Sequence, residues 1–162
     1  MSLAGSMETT AQEPMAPTGA ATHRERVWLF PKGADARLSA NFTLNEFHCR
    51  CGELRCHLTL VHPKLVETLQ TLRELLARAL YLSSGFRCEL HNERIGGRTR
   101  SYHTRGMAAD VVCATGAQMD ELAESAAGIP AIGAIGSYPG RGHLHLDVRP
   151  RRSDGVAIRW TN

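Results

Sequence analysis

The sequence is short of three things. No apolar run approaches the roughly 20 residues needed to cross a bilayer as a helix. There is no large excess of charge of either sign: 19 Lys and Arg against 16 Asp and Glu give a formal +3 over 162 residues, with an isoelectric point near 8.7. That balance is far from a nucleic-acid footprint and biases the surface only weakly toward anionic partners, and the local basic run of Arg149, Arg151 and Arg152 is expected to be solvated surface rather than a phosphate site. No internal repeat is visible, which sets solenoids and propellers aside. Neither nucleic acid nor membrane is therefore expected as a partner. What remains, 43% hydrophobic and 22% charged, is ordinary globular composition.

The N-terminus lacks the basic and apolar regions of a signal peptide. Its opening MSLAGS, ahead of a second Met, resembles a cloning remnant, and the following stretch is small, polar and Pro-bearing. Residues 1–24 are expected to be disordered and 25–162 to form a single domain. Synthesis in the cytoplasm is expected. Export, if it occurs, would use a holin-type pore, lysis, carriage on a virion or another non-classical route.

Five cysteines are an odd count, so at least one is unpaired within a monomer. Cys49, Cys51 and Cys56 lie close together, with His48 and His57 interleaved. A structural zinc site is open to them, although Cys-x-Cys-x4-Cys is not a standard knuckle spacing. Ordinary thiols, or a disulfide that includes Cys88 or Cys113, are the favoured reading.

Along the chain, Thr43 followed by Glu46 makes a capping box and predicts a short helical turn over 41–47. Pro63 and the stripe Leu65, Leu69, Leu72, Leu76 and Ala79 predict a helix over 63–79. A second helix is expected over 117–127, stopped at Gly128. Strands are expected at 80–84, 108–113, 131–138, 143–149 and 156–160, with Pro139–Gly142 as a hairpin loop. Strands and helices do not alternate regularly, so an α+β fold with a small, mainly antiparallel sheet flanked by helices is expected.

Three features carry chemistry. Asp110 interrupts Met107–Val112, a strand that otherwise reads as buried, and a buried carboxylate costs several kcal/mol unless paired or metal-bound. His103 lies seven residues earlier, across Gly106, which can turn it back toward the strand; an ion pair with Arg105 or Arg87 is the competing use of Asp110. In His143-Leu-His-Leu-Asp147, strand periodicity points His143, His145 and Asp147 one way and Leu144, Leu146 and Val148 into the core. Two imidazoles and a carboxylate, with a further His beside them, suit one catalytic metal with an open coordination position. A non-haem iron oxygenase uses the same donors, but six residues separate His103 from Asp110 where those enzymes usually place one. Arg87, leaving a strand, could grip a carboxylate with both arms of its guanidinium. His91 and Asn92 read as loop scaffolding.

These motifs occur in a fixed order: Phe42-x-x-x-Glu-Phe-x-Cys49, Ser84-Gly-Phe-Arg-Cys88, His91-Asn92, Ile95-Gly-Gly97, Ser101-x-His-x-x-Gly-x-Ala-x-Asp110 and His143-x-His-x-Asp147. The chain resembles the zinc D-Ala-D-Ala carboxypeptidases and their phage endolysin relatives, in the group shared with lysostaphin-type endopeptidases and the Hedgehog signalling domain. The likeness runs from about Phe42 to Arg149. It implies a Hedgehog/DD-peptidase-like α+β fold, a Zn2+ cofactor and a peptidoglycan peptide substrate. It implies His103, Asp110 and His145 as metal ligands and His143 as the catalytic acid/base. Arg87 would anchor substrate, Ser101 would shape the substrate-side loop that presents His103, and Asp147 would orient a ligand imidazole or pair with an arginine. One departure stands out. Dipeptidase relatives carry a Glu three residues before the last ligand His, and here that position is Gly142. Proton transfer then falls to His143 or to a carboxylate from elsewhere, or the protein is a non-catalytic zinc-containing wall-binding or phage structural module of the same fold.

Overall fold

The computed structural model describes residues 26–162, so the N-terminal stretch expected to be disordered lies outside the described residues. Two sheets form. In the first, β1 (Trp28–Pro31) pairs antiparallel with β2 (Leu58–Val61). The second has five strands in the order β3-β4-β6-β5-β7, built from β3 (Leu82–Ser84), β4 (Ala108–Val112), β5 (Ala134–Tyr138), β6 (His143–Asp147) and β7 (Ile158–Thr161). Every pairing in it is antiparallel except β5 with β7. Helices α1 (Pro63–Leu75), α2 (Glu89–Arg94) and α3 (Gly116–Ala127) complete an α+β architecture.

One face of the five-stranded sheet makes the core. Leu144, Leu146 and Val148 lie there, as their alternation predicts, with Val111 and Ile135. Leu65, Leu69 and Leu72 of α1 and Met119, Leu122 and Ala126 of α3 close over them. The opposite face carries Asp110, His145 and Asp147, all buried. Alternation along β4 and β6 thus separates an apolar side from a polar side within single strands.

Local signals place the elements well. Thr43 and Glu46 form the expected capping box on a 3-10 turn at Leu44–Phe47. Pro63 opens α1, and His62 caps it by accepting the Lys64 N–H at 3.1 Å. The helix nevertheless stops at Leu75, four residues short of the expected end, because Ala77 takes a left-handed φ of 49°. That reversal lets Leu80 enter the core, at 2% exposure. The strand expected from residue 80 accordingly starts at Leu82. Strand β6 ends at Asp147 because the Arg149 N–H turns back onto the Asp147 carboxylate at 3.2 Å. Sequence periodicity missed β1, β2 and α2, which have only four to six residues each.

Gly106 joins the two sheets. It has φ +67°, ends the 3-10 turn Tyr102–Arg105, and its carbonyl accepts the His62 N–H at 2.8 Å. A Cβ here would lie 2.4 Å from the Leu60 carbonyl oxygen. Gly106→Ala is expected to cost at least about 2 kcal/mol, combining left-handed strain with a backbone clash. Gly140→Ala, at a position open to solvent, is expected to stay within about 0.5 kcal/mol of the parent. Urea unfolding of the two variants checks this; equal midpoints would contradict it.

Candidate metal centre

Register creates the centre. Ser84, Asp110, His145, Gly136 and Trp160 are successive partners across β3, β4, β6, β5 and β7. Residues directly opposite on neighbouring strands project to the same side, so Asp110 and His145 meet there. Gly136 matters in this row because a Cβ would lie 2.4 Å from the Trp160 indole. The bare position lets that ring lie over β5, with its centroid 5.5 Å from the His145 ring.

His103 arrives from the 3-10 turn Tyr102–Arg105. The Ser101 hydroxyl caps this turn by accepting the His103 N–H at 3.3 Å. The turn brings His103 Nε2 to 3.1 Å from Asp110 Oδ1 and 3.0 Å from His145 Nδ1, and the latter two atoms are 3.0 Å apart.

Partners on the far sides of the rings assign the protons. His103 Nδ1 faces the Gly85 carbonyl at 2.7 Å and must donate to it. His145 Nε2 faces Asp147 Oδ2 at 3.1 Å and donates there when Asp147 is ionised. With those outward protons in place, neutral imidazoles would turn the lone pairs of His103 Nε2 and His145 Nδ1 inward beside Asp110 Oδ1. Such a triangle is repulsive unless a cation sits against it. Four-coordinate zinc with bonds of about 2.0–2.1 Å has ligand–ligand edges of about 3.3 Å, close to the spacing here. The donor set therefore fits zinc.

The atoms behind the ligands are equally ordered. Asp110 gives Oδ1 to the triangle, while its Oδ2 accepts from Arg87 at 3.2 Å. Burial pushes the Asp110 carboxyl up, but the two imidazoles beside it outweigh this and hold it well below the ordinary carboxylate range. Burial lowers the pKa of His103, favouring the neutral ring that a metal needs. His145 moves up despite burial, because Asp110 and Asp147 both favour its proton. Asp147, wholly buried, accepts from Arg149 Nε at 2.7 Å and also pairs with Arg149 Nη2. Burial raises Asp147, and its bonds with His145 and Arg149 bring it below the usual range. The Arg149 guanidinium lies over the Tyr102 ring, 4.1 Å from its centroid.

The structure thus brings His103, Asp110 and His145 together, with Asp147 and Arg87 directly behind them. Asp110 serves both readings open to it, joining the triangle through one oxygen and Arg87 through the other. His143 is outside the triangle. It sits on the same face of β6, two residues before His145, with its ring stacked on Tyr138 at 4.8 Å. Gly142 ends the turn before β6 with φ +63°. Among the described residues, the carboxylates bonded to these imidazoles are Asp110 and Asp147 alone.

Sequence reading missed Arg149, taken with Arg151 and Arg152 as a solvated basic run. Arg149 instead holds Asp147, and Arg151 donates to the Ala127, Ile129 and Ile132 carbonyls at and just after the end of α3. Only Arg152 keeps to the surface, paired with Asp154. Strand period could have found Arg149, two residues beyond Asp147 on the same side. Tyr102, Tyr138 and Trp160 carried no sequence signal. His91 and Asn92 lie in helix α2 rather than in a loop, and Asn92 is buried and donates to the Arg98 carbonyl at 3.0 Å.

Two histidines and a carboxylate, each supported from behind, on one face of a small α+β sheet define a mononuclear metallohydrolase-type centre. Residues 40–147 match the family model described as peptidase M15, and the chain belongs to that family, the zinc D-Ala-D-Ala carboxypeptidase family. The match includes the whole triangle and Asp147. Comparison with curated proteins gives no match. The family is one of zinc-dependent metallopeptidases, and the three inward donors suit that metal.

His103→Ala and Asp110→Ala are each expected to lower bound zinc by one equivalent per chain, measured by elemental analysis; full zinc in both would refute the ligand set. Asp147→Asn should keep the ligands but weaken metal affinity about 10–100-fold. Competition with a chelator reads this, and an unchanged affinity would contradict it.

Proposed function

We propose that this chain hydrolyses a peptide bond in peptidoglycan stem peptides, as a carboxypeptidase on terminal D-Ala-D-Ala or as an endopeptidase. The observation that carries the reading is the convergence of His103 Nε2, Asp110 Oδ1 and His145 Nδ1, each 3.0–3.1 Å from the other two, in a chain of the M15 family. Zinc held there would supply a Lewis acid that polarises the scissile carbonyl and makes water acidic enough to attack near neutral pH.

The chain's own groups divide the remaining work. Asp147 is the wrong carboxylate for a general base, since His145 and Arg149 occupy both its oxygens inside the protein. His143 is the proton carrier: it lies one strand repeat from a ligand, on the same face, and is partly exposed. An imidazole suits proton exchange near neutral pH. Tyr138 stacking holds the ring in place. Arg87 anchors substrate, while its Nη2 steadies Asp110. Ser101 contributes to substrate binding by fixing the loop that carries His103. We further propose delivery to the cell wall by a phage-type or other non-classical route.

A second reading is a zinc-containing wall-binding or phage structural module without turnover, favoured by Gly142 where relatives carry a Glu. Zinc-loaded protein incubated with purified muropeptides decides between them. The enzyme reading expects new amine termini, and expects His143→Ala to keep its zinc while kcat falls about 10²–10⁴-fold. No new termini from fully loaded protein would select the binding module. Unchanged turnover in His143→Ala would move the proton role elsewhere.

A further inference from the structure

Four of the five cysteines converge at a second place, away from the His103–Asp110–His145 triangle. Cys49, Cys51 and Cys56 come from the irregular segment between Phe47 and β2, and Cys88 is the N-cap residue just before α2. Their four sulfurs all lie within 4.8 Å of one another. The separations are 3.4 Å for Cys49–Cys51, 3.6 Å for Cys51–Cys88 and 3.8 Å for Cys49–Cys88. A disulfide needs about 2.05 Å, and all five cysteines are free thiols. Four sulfurs about 2.3 Å from one tetrahedral zinc stand about 3.8 Å apart, close to the three separations among Cys49, Cys51 and Cys88, with Cys56 within 4.8 Å of each. An iron–sulfur cluster would need a void between the thiolates that these separations do not leave. Cys113 stands apart, its thiol directed to the Val111 carbonyl at 3.7 Å.

We propose that Cys49, Cys51, Cys56 and Cys88 bind a single zinc ion as a structural tetrathiolate site. Four protein ligands leave no open position, so this zinc stabilises structure and does no chemistry. Four thiolates around a dication leave a net charge of −2, and the surroundings answer it. Lys32 Nζ lies 3.5 Å from Cys51 Sγ and donates to the Cys51 carbonyl at 2.7 Å, while the Cys88 N–H donates to Cys49 Sγ at 3.3 Å. The local packing also calls for a cross-link. The satellite core consists of Cys49, Cys56 and Phe86, flanked by Cys51, Leu60 and Cys88. So little apolar surface cannot by itself order an irregular loop.

The site also reaches the first centre through the backbone. Cys88 follows Phe86 and Arg87. The Phe86 N–H donates to the Phe47 carbonyl at 2.9 Å and the Arg87 N–H to the His103 carbonyl at 3.2 Å. Gly85 supplies the carbonyl that fixes the His103 tautomer. A zinc holding Cys88 to the Cys49–Cys56 loop therefore anchors the segment that aims Gly85 at His103 and Arg87 at Asp110.

The sulfur geometry carries this inference independently of the proposed peptidase activity, and the test is built to separate the two. The full chain carrying both His103→Ala and Asp110→Ala, purified with zinc, is expected to retain one zinc equivalent. Reconstituted with cobalt, it should show strong near-ultraviolet thiolate-to-metal charge transfer and tetrahedral visible bands. Cys49→Ser and Cys88→Ser in the parent should each remove one zinc equivalent and that thiolate absorption. The double variant keeps the test decisive if the cysteine variants fail to fold. Absence of metal from the double variant, a cobalt form without thiolate absorption, iron in place of zinc, or a disulfide among the four found by mass spectrometry of protein purified without reductant would each overturn the proposal.

Discussion

Antiparallel pairing of β4 with β6 sets Asp110 directly opposite His145, and the centre follows from that one register. A slip of one residue would turn both side chains to the other face and exchange them with Val111, Leu144 and Leu146. The apolar residues enforce the register: burying Leu144, Leu146 and Val111 beneath α1 and α3 leaves Asp110 and His145 nowhere to point except at each other. A hydrophobic constraint on one side of the sheet thus assembles a costly polar arrangement on the other. The cost is offset outside the triangle, where Arg87, Asp147, Arg149 and the Gly85 carbonyl satisfy the remaining polar atoms.

This division also separates what the sequence revealed from what it hid. The α+β class, the core face of β6 and the approach of His103 toward Asp110 were legible because alternation and a turn glycine are local signals. The residues behind the ligands were harder. Arg149 looked like part of a basic surface run until the fold placed Tyr102 over its guanidinium and Asp147 beneath it. Trp160 reaches His145 only because Gly136 leaves room on the strand between them, a three-strand relation that no spacing encodes. The cysteine cluster was obscured for the same reason. Cys88 lies 32 residues beyond Cys56 in sequence and joins the others only when β3 brings its exit beside the Cys49–Cys56 loop.

Both clusters meet at the segment Gly85–Cys88. Its first residue fixes the proton on His103, its third steadies Asp110, and its last belongs to the thiol cluster. One short stretch leaving β3 therefore links the stability of an irregular loop to the geometry of the metal centre. It also explains how so small a sheet can hold two buried imidazoles and two buried carboxylates in fixed orientations: each inward donor is locked by an outward bond, and the outward partners are themselves anchored.

The most direct test is an anomalous diffraction experiment across the zinc edge on crystals of the full chain. A peak about 2.0–2.1 Å from His103 Nε2, His145 Nδ1 and one oxygen of Asp110, with the next position free of protein atoms, is the result this account predicts. An absence of zinc at the triangle, or coordination through His103 Nδ1 or His145 Nε2 instead, would contradict it.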